Sequence, residues 1–313
     1  MHTFLYLCLY ILQKDYNAMR KIAIFLTSLI LIVGCSSDNA NNQKTIYVTI
    51  TPMQALVEEI TMGDFRVEVV VPKGASPETF EPTPKQVTEM SEAEFILSTG
   101  LIDFERSLVG RIKGSAEVVD LSAGIELIEG SCSHGHKHHH HGVDPHIWTS
   151  PRALRTMVSN AHDAIIAHYP DSTKYTEATN RLLERIDSLD SYCARRIAEA
   201  NVEAIMIYHP AYTYYARDYA IEQMAIEHDG KEPSLRQTTA LIDRAKSHGI
   251  KTILRQPQYS VDKVRAIAND AGAEIVTTDP LAEDILGGVR NQNGHHHVKQ
   301  DGFHERGTLF QAA

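Results

Sequence analysis

The sequence predicts an α/β protein with two similar βα lobes, whose parallel-type sheets are joined by a long backbone helix. Two observations predict this fold. Short β-branched runs alternate with helical stretches from Thr45 onward, and the alternation resumes after residue 200, which is typical of parallel sheets flanked by helices. Between these regions, residues 171–200 contain neither glycine nor proline, so an uninterrupted helix is expected there.

The N-terminal lobe is expected to span residues 45–169. Its β-branched runs predict four strands, with a helix over residues 53–62 between the first two. The predicted strands cover residues 45–51, 66–71, 94–98 and 116–121. A further helix is expected to begin near Pro151, because proline is favoured at the first helical position.

The linking helix is expected over residues 170–200. Its apolar side chains recur at helical spacing, at Tyr175, Leu182, Ile186, Leu189 and Cys193. Roughly 30 residues at a rise of 1.5 Å would span about 45 Å, enough to run along the back of both lobes. Two shorter helices are the alternative.

The C-terminal lobe is expected over residues 201–285, with strands at 203–208, 251–254 and 273–277. Ser234 and Gln237 form a capping-box pattern that opens a helix, and Gly249 closes it. Ser260 opens another helix, and Gly272 closes it. Residues 286–313 show no usable period, which predicts a disordered tail, with a stretch outside the natural reading frame as the alternative.

The N-terminal residues are typical of a bacterial lipoprotein signal. A basic Met19-Arg20-Lys21 precedes an apolar run at residues 22–33, which is of signal-peptide length, and the run ends in Gly34-Cys35. The resemblance to a lipobox implies cleavage before Cys35 and acylation of its thiol. A short membrane-anchoring helix left in place is the alternative.

The segments around this signal are interpreted separately. Residues 1–18 are predicted to be a non-native extension, and the polar residues 36–44 a flexible tether. Two further cysteines, Cys132 and Cys193, could form a disulfide, but two cysteines in a sequence do not decide whether they pair. The net charge of −10 argues against a nucleic-acid partner, because it gives no attraction to phosphate backbones.

Four candidate metal ligands fall in loops that follow predicted strands or precede a helix. In open α/β sheets, ligands bind beyond the carboxyl ends of strands. The candidates are Glu78, His146, His209 and Asp279. Two imidazoles and two carboxylates, two from each lobe, suit one Zn²⁺ in the interlobe cleft, because the carboxylates roughly neutralise its charge.

Several motifs then resemble the metal-binding lipoproteins of bacterial ABC importers for zinc and manganese, over residues 45–284. The motifs are GASPETFEPTPKQ (residues 74–86), a histidine-rich tract followed by DPHIW (144–148), YHPAYTYYARDY (208–219), EPS (232–234) and TTDPLAED (277–284). The resemblance implies metal ligands at Glu78, His146, His209 and Asp279, the same positions reached from the strand ends.

The sequence departs from the zinc-importing pattern at Glu78, where histidine is usual. A carboxylate hardens the site and makes manganese or iron less easily excluded. His209 argues the other way. The manganese-type members of the family have glutamate at that position, whereas this sequence has histidine. The histidine-rich tract also looks like the zinc type, so zinc is expected, with Mn²⁺ as the alternative.

The histidine-rich tract is interrupted by Gly135 and Lys137 and lies inside the chain, which argues against an engineered tag. Neutral imidazoles coordinate metal near pH 7. The hypothesis is a weak accessory loop that concentrates Zn²⁺ beside His146. Its members are His134, His136, His138, His139, His140 and His141. A solvated loop without a role is the alternative.

The resemblance implies an extracytoplasmic solute-binding protein, not an enzyme, which captures zinc and delivers it to an ABC importer permease on the periplasmic side. A lipid on Cys35 would anchor it to a membrane. Two alternatives are a zinc-dependent hydrolase with an open coordination position, and a surface adhesin or metal buffer without a transporter. The His-Glu-x-x-His pattern of many zinc hydrolases is not found in the sequence.

Overall fold

Two parallel sheets of four strands each form the framework of the molecule, and both have the same strand order. The computed structural model describes residues 43–112, 114, 116–129, 142–228, 230–286, 289–290 and 296–297. The first sheet, ordered β2-β1-β3-β4, contains β1 (Thr45–Val48), β2 (Arg66–Val69), β3 (Phe95–Ser98) and β4 (Glu117–Asp120). The second, ordered β6-β5-β7-β8, contains β5 (Ala204–Ile207), β6 (Glu222–Ala225), β7 (Thr252–Arg255) and β8 (Glu274–Thr277). The prediction of two similar βα lobes is confirmed.

Helices connect the strands in both lobes. In the N-terminal half these are α1 (Pro52–Thr61), α2 (Pro84–Ser91), α3 (Asp103–Val109) and α4 (Pro151–His168). The long α5 (Thr173–Ala200) follows, and then come α6 (Thr213–Asp218), α7 (Leu235–Ser247) and α8 (Asp262–Ala271). As expected from its proline, α4 begins at Pro151, and the hydroxyl of Ser150 caps it by accepting from the N–H groups of Arg152 and Ala153.

The N-terminal sheet is buried most completely at its central strand β3, which is covered on both faces, as is usual for parallel strands. Ile46 of β1 pairs in parallel register with Val67 on one side and with Phe95 on the other. All three side chains are buried, and every residue of β3 is buried. These strands read in the sequence as β-branched and aromatic runs because such side chains pack well on a sheet.

The prediction of one long linking helix, in place of two shorter ones, is confirmed by α5, which spans 28 residues. Its buried stripe includes Leu182, Ile186, Leu189 and Cys193. The helix ends at Asn201, whose φ of 49° lies in the left-handed region that asparagine tolerates. Cys193 is a buried free thiol, and Cys132 lies outside the described residues.

The C-terminal lobe contains one strand that the sequence did not predict. β6 has the sequence Glu-Gln-Met-Ala, without a β-branched residue, and lies at the edge of its sheet. Strand propensity depends on how side chains fit a half-buried surface, so an edge strand gives a weak signal. The strand matters because the loop that follows it reaches the candidate site.

Hydrogen bonds connect the two lobes near their carboxyl-end loops. The indole N–H of Trp148, in the 3₁₀ turn Ile147–Thr149, donates to the carbonyl of Pro280 over 2.8 Å. The hydroxyl of Ser150 also donates to the carboxylate of Asp218 in α6. These bonds fix the start of α4 against the C-terminal lobe.

Two short strands, β9 (Val289–Arg290) and β10 (His296–His297), pair antiparallel within the stretch predicted to be a disordered tail. The other residues after 286 lie outside the described part of the chain. Among the residues that the structure describes, no helix is both long and apolar enough to span a bilayer.

Candidate metal centre

Glu78 is carried by a short turn in the loop after β2. Pro77–Thr79 form a 3₁₀ turn in which Pro77 is the first residue, a position where its fixed φ is favourable. The loop brings the Glu78 side chain to the carboxyl-end edge of the N-terminal sheet, where it is only 10% exposed. The burial of a carboxylate at this position requires a compensating partner.

His146 lies directly before the 3₁₀ turn Ile147–Thr149 that leads into α4. Its side chain is 6% exposed. The carboxylate of Asp144 accepts from the His146 backbone N–H over 2.9 Å, and the same Oδ1 atom lies 2.9 Å from Nδ1 of the ring. A proton on Nδ1 directs the Nε2 lone pair into the cleft.

His209 follows β5, separated from it by Tyr208. The loop after β6 contributes Glu227, whose carboxylate lies 2.7 Å from Nδ1 of His209. Gln256, directly after β7, accepts from the His209 N–H over 3.3 Å and donates to its carbonyl over 2.7 Å. The imidazole is therefore oriented by one neighbouring strand end, and its backbone is held by another.

The three side chains meet at one point between the lobes. Glu78 Oε1 lies 3.0 Å from His209 Nε2 and 3.4 Å from His146 Nε2, and the two Nε2 atoms are 3.3 Å apart. One ligand atom from each residue lies within 4.8 Å of the others, which is close enough to surround a single ion. Two imidazole nitrogens and a carboxylate oxygen are a typical ligand set for a divalent transition metal.

The carboxylates around the imidazoles favour positive charge at this point. Burial lowers the pKa of His146, but Asp144 and Glu78 outweigh it and raise the pKa to about 10. Burial also opposes protonation of His209, while hydrogen bonds to Glu227 and Glu78 raise its pKa. A cation, either a proton or a metal ion, is thus stabilised between these groups.

Asp279 is not part of this group of three. Its Oδ1 instead accepts from the backbone N–H of Leu281 over 3.0 Å, in the turn around Pro280. The structure therefore brings together three of the four predicted ligands, and Asp279 as the fourth stays a prediction. The pocket around the three residues is lined by the next two residues of that loop, Pro280 and Leu281.

The pocket holds about 440 Å³ of empty space, including its open mouth. Its remaining walls are mostly apolar or aromatic. They comprise Ser76, Pro77, Ile102, Pro145, Trp148, Ala211, Gln256, Gln258 and Tyr259. Tyr259 stacks on the His209 ring, with centroids 5.6 Å apart, and Trp148 lies 5.3 Å from the His146 ring. Such walls exclude water and strengthen electrostatic attraction inside the pocket.

Sequence reasoning missed the residues that orient the two histidines. Asp144 stood in the DPHIW motif, but no role was derived for it. Glu227 follows the unpredicted strand β6, so the strand-end rule was not applied there. Gln256 lies two residues after the strand predicted at 251–254 and directly after the observed β7, so its place at a strand end was a signal for it.

The histidines predicted to form an accessory loop and the cysteine predicted to be lipidated lie outside the described residues. These are His134, His136, His138, His139, His140, His141 and Cys35. Their predicted roles are untested by the structure.

The fold and the site define a two-lobed protein with a candidate metal centre between its lobes. The family model described as "Zinc-uptake complex component A periplasmic" matches residues 46–290. The chain belongs to this family, and the resemblance predicted from the motifs is confirmed.

Relatives and solved structures agree with this assignment. The zinc-binding lipoprotein AdcA of Streptococcus pneumoniae is 27% identical over 279 residues, covering 84% of this chain and 56% of AdcA. The chain thus spans little more than half the length of that relative. The high-affinity zinc uptake system protein ZnuA of Bacillus subtilis is 26% identical over 262 residues, covering 79% of this chain and 81% of ZnuA. A crystal structure of ZnuA superposes with a TM-score of 0.71 at 30% identity, covering 78% of this chain and 94% of that one.

Proposed function

We propose that this chain is an extracytoplasmic solute-binding protein that captures Zn²⁺ and delivers it to the permease of an ABC importer. The observation that carries the proposal is the convergence of Glu78, His146 and His209 in a chain of the zinc-uptake component A family. Relatives named for zinc binding and high-affinity zinc uptake support the choice of cargo.

The proposed ligands are Glu78 Oε1 and the Nε2 atoms of His146 and His209, with Asp279 as the fourth ligand. Zinc accepts imidazole nitrogen and carboxylate oxygen in a four-coordinate site. A carboxylate has two oxygens, so Asp279 can keep the bond from the Leu281 N–H to its Oδ1 and offer its Oδ2 to the metal. Its loop borders the pocket, which supports its inclusion.

Zinc is favoured over manganese because two of the three converging ligands are nitrogens. Glu78 supplies oxygen, so Mn²⁺ is the competitor to test. The carboxylates of Asp144 and Glu227 are hydrogen-bonded to the Nδ1 atoms of His146 and His209. This arrangement favours a role in orienting the two histidines over a role in activating a water molecule. We therefore assign the site to binding and release, without a catalytic step.

The location and the accessory loop belong to the same proposal. Acylated Cys35, followed by the tether at residues 36–44, would anchor the folded lobes to a membrane on the periplasmic side. The histidines of residues 134–141 would bind Zn²⁺ weakly and raise its concentration near His146. Deleting residues 133–142 should remove weak sites and leave one tight site. An unchanged stoichiometry would argue against the accessory role.

Competition titration of the metal-free mature chain tests the cargo. Zn²⁺ should bind with a stoichiometry of one tight site and should displace Mn²⁺. Tighter binding of Mn²⁺ would contradict the zinc assignment. For delivery, cells that lack this gene should grow poorly when zinc is chelated. The unaltered chain should restore their growth, whereas His146→Ala should not.

A further inference from the structure

Beside the metal centre, the two chain segments that flank residues 130–141 meet in a short neck. Glu129 and Val143 form an isolated antiparallel bridge. The N–H of Asp144 donates to the carbonyl of Ile128 over 2.9 Å. In a regular antiparallel pair, two facing residues exchange both of their backbone hydrogen bonds. Here the return bond, from the Ile128 N–H to the Asp144 carbonyl, is replaced.

The hydroxyl of Tyr214 takes the place of that return bond. It accepts from the Ile128 N–H over 3.2 Å and donates to the Asp144 carbonyl over 2.8 Å. Tyr214 is fully buried, and burial raises its pKa to about 12, so the hydroxyl keeps the proton that it donates. A side chain from α6 of the C-terminal lobe thus completes a backbone pair of the N-terminal lobe.

A second residue of α6 contacts the same segment. The guanidinium of Arg217 donates to the carbonyl of Glu126 over 2.7 Å and lies over the Tyr214 ring, 5.1 Å from its centroid. Two side chains of one helical turn therefore fix residues 126–128 and, through the neck, residue 144.

The neck leads directly to the metal centre. The carboxylate of Asp144 accepts from both the N–H and Nδ1 of His146, so the position of the Asp144 backbone sets where His146 Nε2 points. Tyr214 lies five positions after His209, on the short segment that carries the other imidazole. The Tyr214 hydroxyl therefore connects the segment that carries His209 to the segment that positions His146.

We propose that Tyr214 is a positioning residue of the metal centre, and that its hydroxyl sets the separation of His146 and His209 by closing the neck across the lobes. The inference rests on the proposed function, because the geometry it maintains is that of the zinc ligands. It adds an interlobe contact to the site without adding a ligand.

Tyr214→Phe tests the proposal, because this change removes the hydroxyl and keeps the ring. We expect zinc affinity to fall about tenfold, as is typical when a group that orients a metal ligand is lost. We also expect the visible spectrum of the Co²⁺-loaded protein to change. In the metal-free protein, amide exchange at Ile128 and His146 should accelerate.

Tyr175→Phe is the matched control. Tyr175 is also buried, and its hydroxyl donates over 2.7 Å to Asp64, on a side of the N-terminal lobe that contributes no ligand. The control should lower the melting temperature while leaving zinc affinity, the Co²⁺ spectrum and the exchange at His146 unchanged. A role in stability alone would make the two variants alike.

The outcomes separate this inference from the proposed function. If the unaltered chain binds zinc tightly and Tyr214→Phe binds it equally well with an unchanged Co²⁺ spectrum, the positioning role is wrong and the proposed function stands. If the unaltered chain binds no zinc, both are wrong. Should Tyr214→Phe fail to fold, amide exchange in the unaltered metal-free protein decides. Protection at Ile128 and His146 supports the positioning role, and rapid exchange at both overturns it.

Discussion

The two halves of the candidate metal centre present the same chemistry but are built differently. In the N-terminal half, the carboxylate that orients His146 comes from Asp144, two residues earlier in the same loop. In the C-terminal half, the carboxylate that orients His209 comes from Glu227, 18 residues later and on a different strand end. One half is organised by local sequence, whereas the other depends on the order of strands in a sheet.

The largest expected effect is the loss of either imidazole. Because both Nε2 atoms face Glu78, His146→Ala and His209→Ala should each reduce zinc affinity by more than the 10–100-fold that is typical of losing an orienting group. Competition with a zinc chelator measures this. His162→Ala, which alters a histidine in α4 bonded to Asp163, is the control and should bind normally. A large loss in only one of the two ligand variants would show that the halves do not share one ion.

The stability of the metal-free protein should depend on pH through both halves of the candidate site. His146 has a pKa raised from 6.5 to about 10, so its contribution to stability is fully present below pH 6.5 and is lost as the pH rises through about 10. The shift corresponds to a loss on the order of a few kcal/mol. Burial opposes protonation of His209, but hydrogen bonds to Glu227 and Glu78 raise its pKa as well. The melting temperature should therefore fall between pH 6.5 and 10, and an NMR titration should show both rings keeping their protons above pH 6.5. A constant melting temperature, or a ring that loses its proton below pH 6.5, would contradict this account.

Removing the orienting carboxylates should have a smaller and unequal effect. Asp144 accepts from both the ring and the backbone of His146, whereas Glu227 contacts only the ring of His209, whose backbone is held by Gln256. We expect Asp144→Ala to weaken zinc binding by about 100-fold and Glu227→Ala by about tenfold.

Isothermal titration or chelator competition would measure the difference between these two variants, and their melting temperatures would verify folding. The double variant Glu227→Ala with Gln256→Ala should lose as much zinc affinity as Asp144→Ala does. Equal losses in the two single variants would mean that the backbone bonds do not contribute.

The smallest expected effect concerns metal preference. Glu78→His would replace the proposed oxygen ligand between the two halves with a nitrogen, and nitrogen ligands favour Zn²⁺ over Mn²⁺. The preference for zinc should rise by about tenfold, or about 1.4 kcal/mol. The ratio of zinc and manganese dissociation constants, measured for both proteins, checks this. A ratio that does not change would show that Glu78 does not coordinate.

The comparison of the two halves also explains what the sequence could predict. The strands β1 and β3 were readable because they are runs of β-branched, aromatic and other apolar residues, and β3 is buried at every position. The long α5 was readable because residues 171–200 contain no helix breaker. The edge strand β6 has no such signal. Because β6 was not predicted, Glu227 in the loop after it was not recognised as lying at a strand end. Ligands at strand ends were therefore predicted, but the contacts that orient them across the sheet were not.

Asp279 shows a second limit of sequence reasoning. Its position after β8 and before Pro280 suits a ligand and suits a turn equally well, and the structure shows the bond of a turn, to the Leu281 N–H. Residue type and spacing cannot distinguish these uses, because both need a carboxylate oxygen in the same loop.

Anomalous diffraction at the zinc absorption edge, from crystals of the zinc-loaded protein, tests the central claim most directly. The account predicts one strong peak between the lobes, within about 2.0–2.2 Å of Glu78 Oε1 and of the Nε2 atoms of His146 and His209. A fully occupied peak elsewhere, or a peak that lacks either histidine as a ligand, would contradict it.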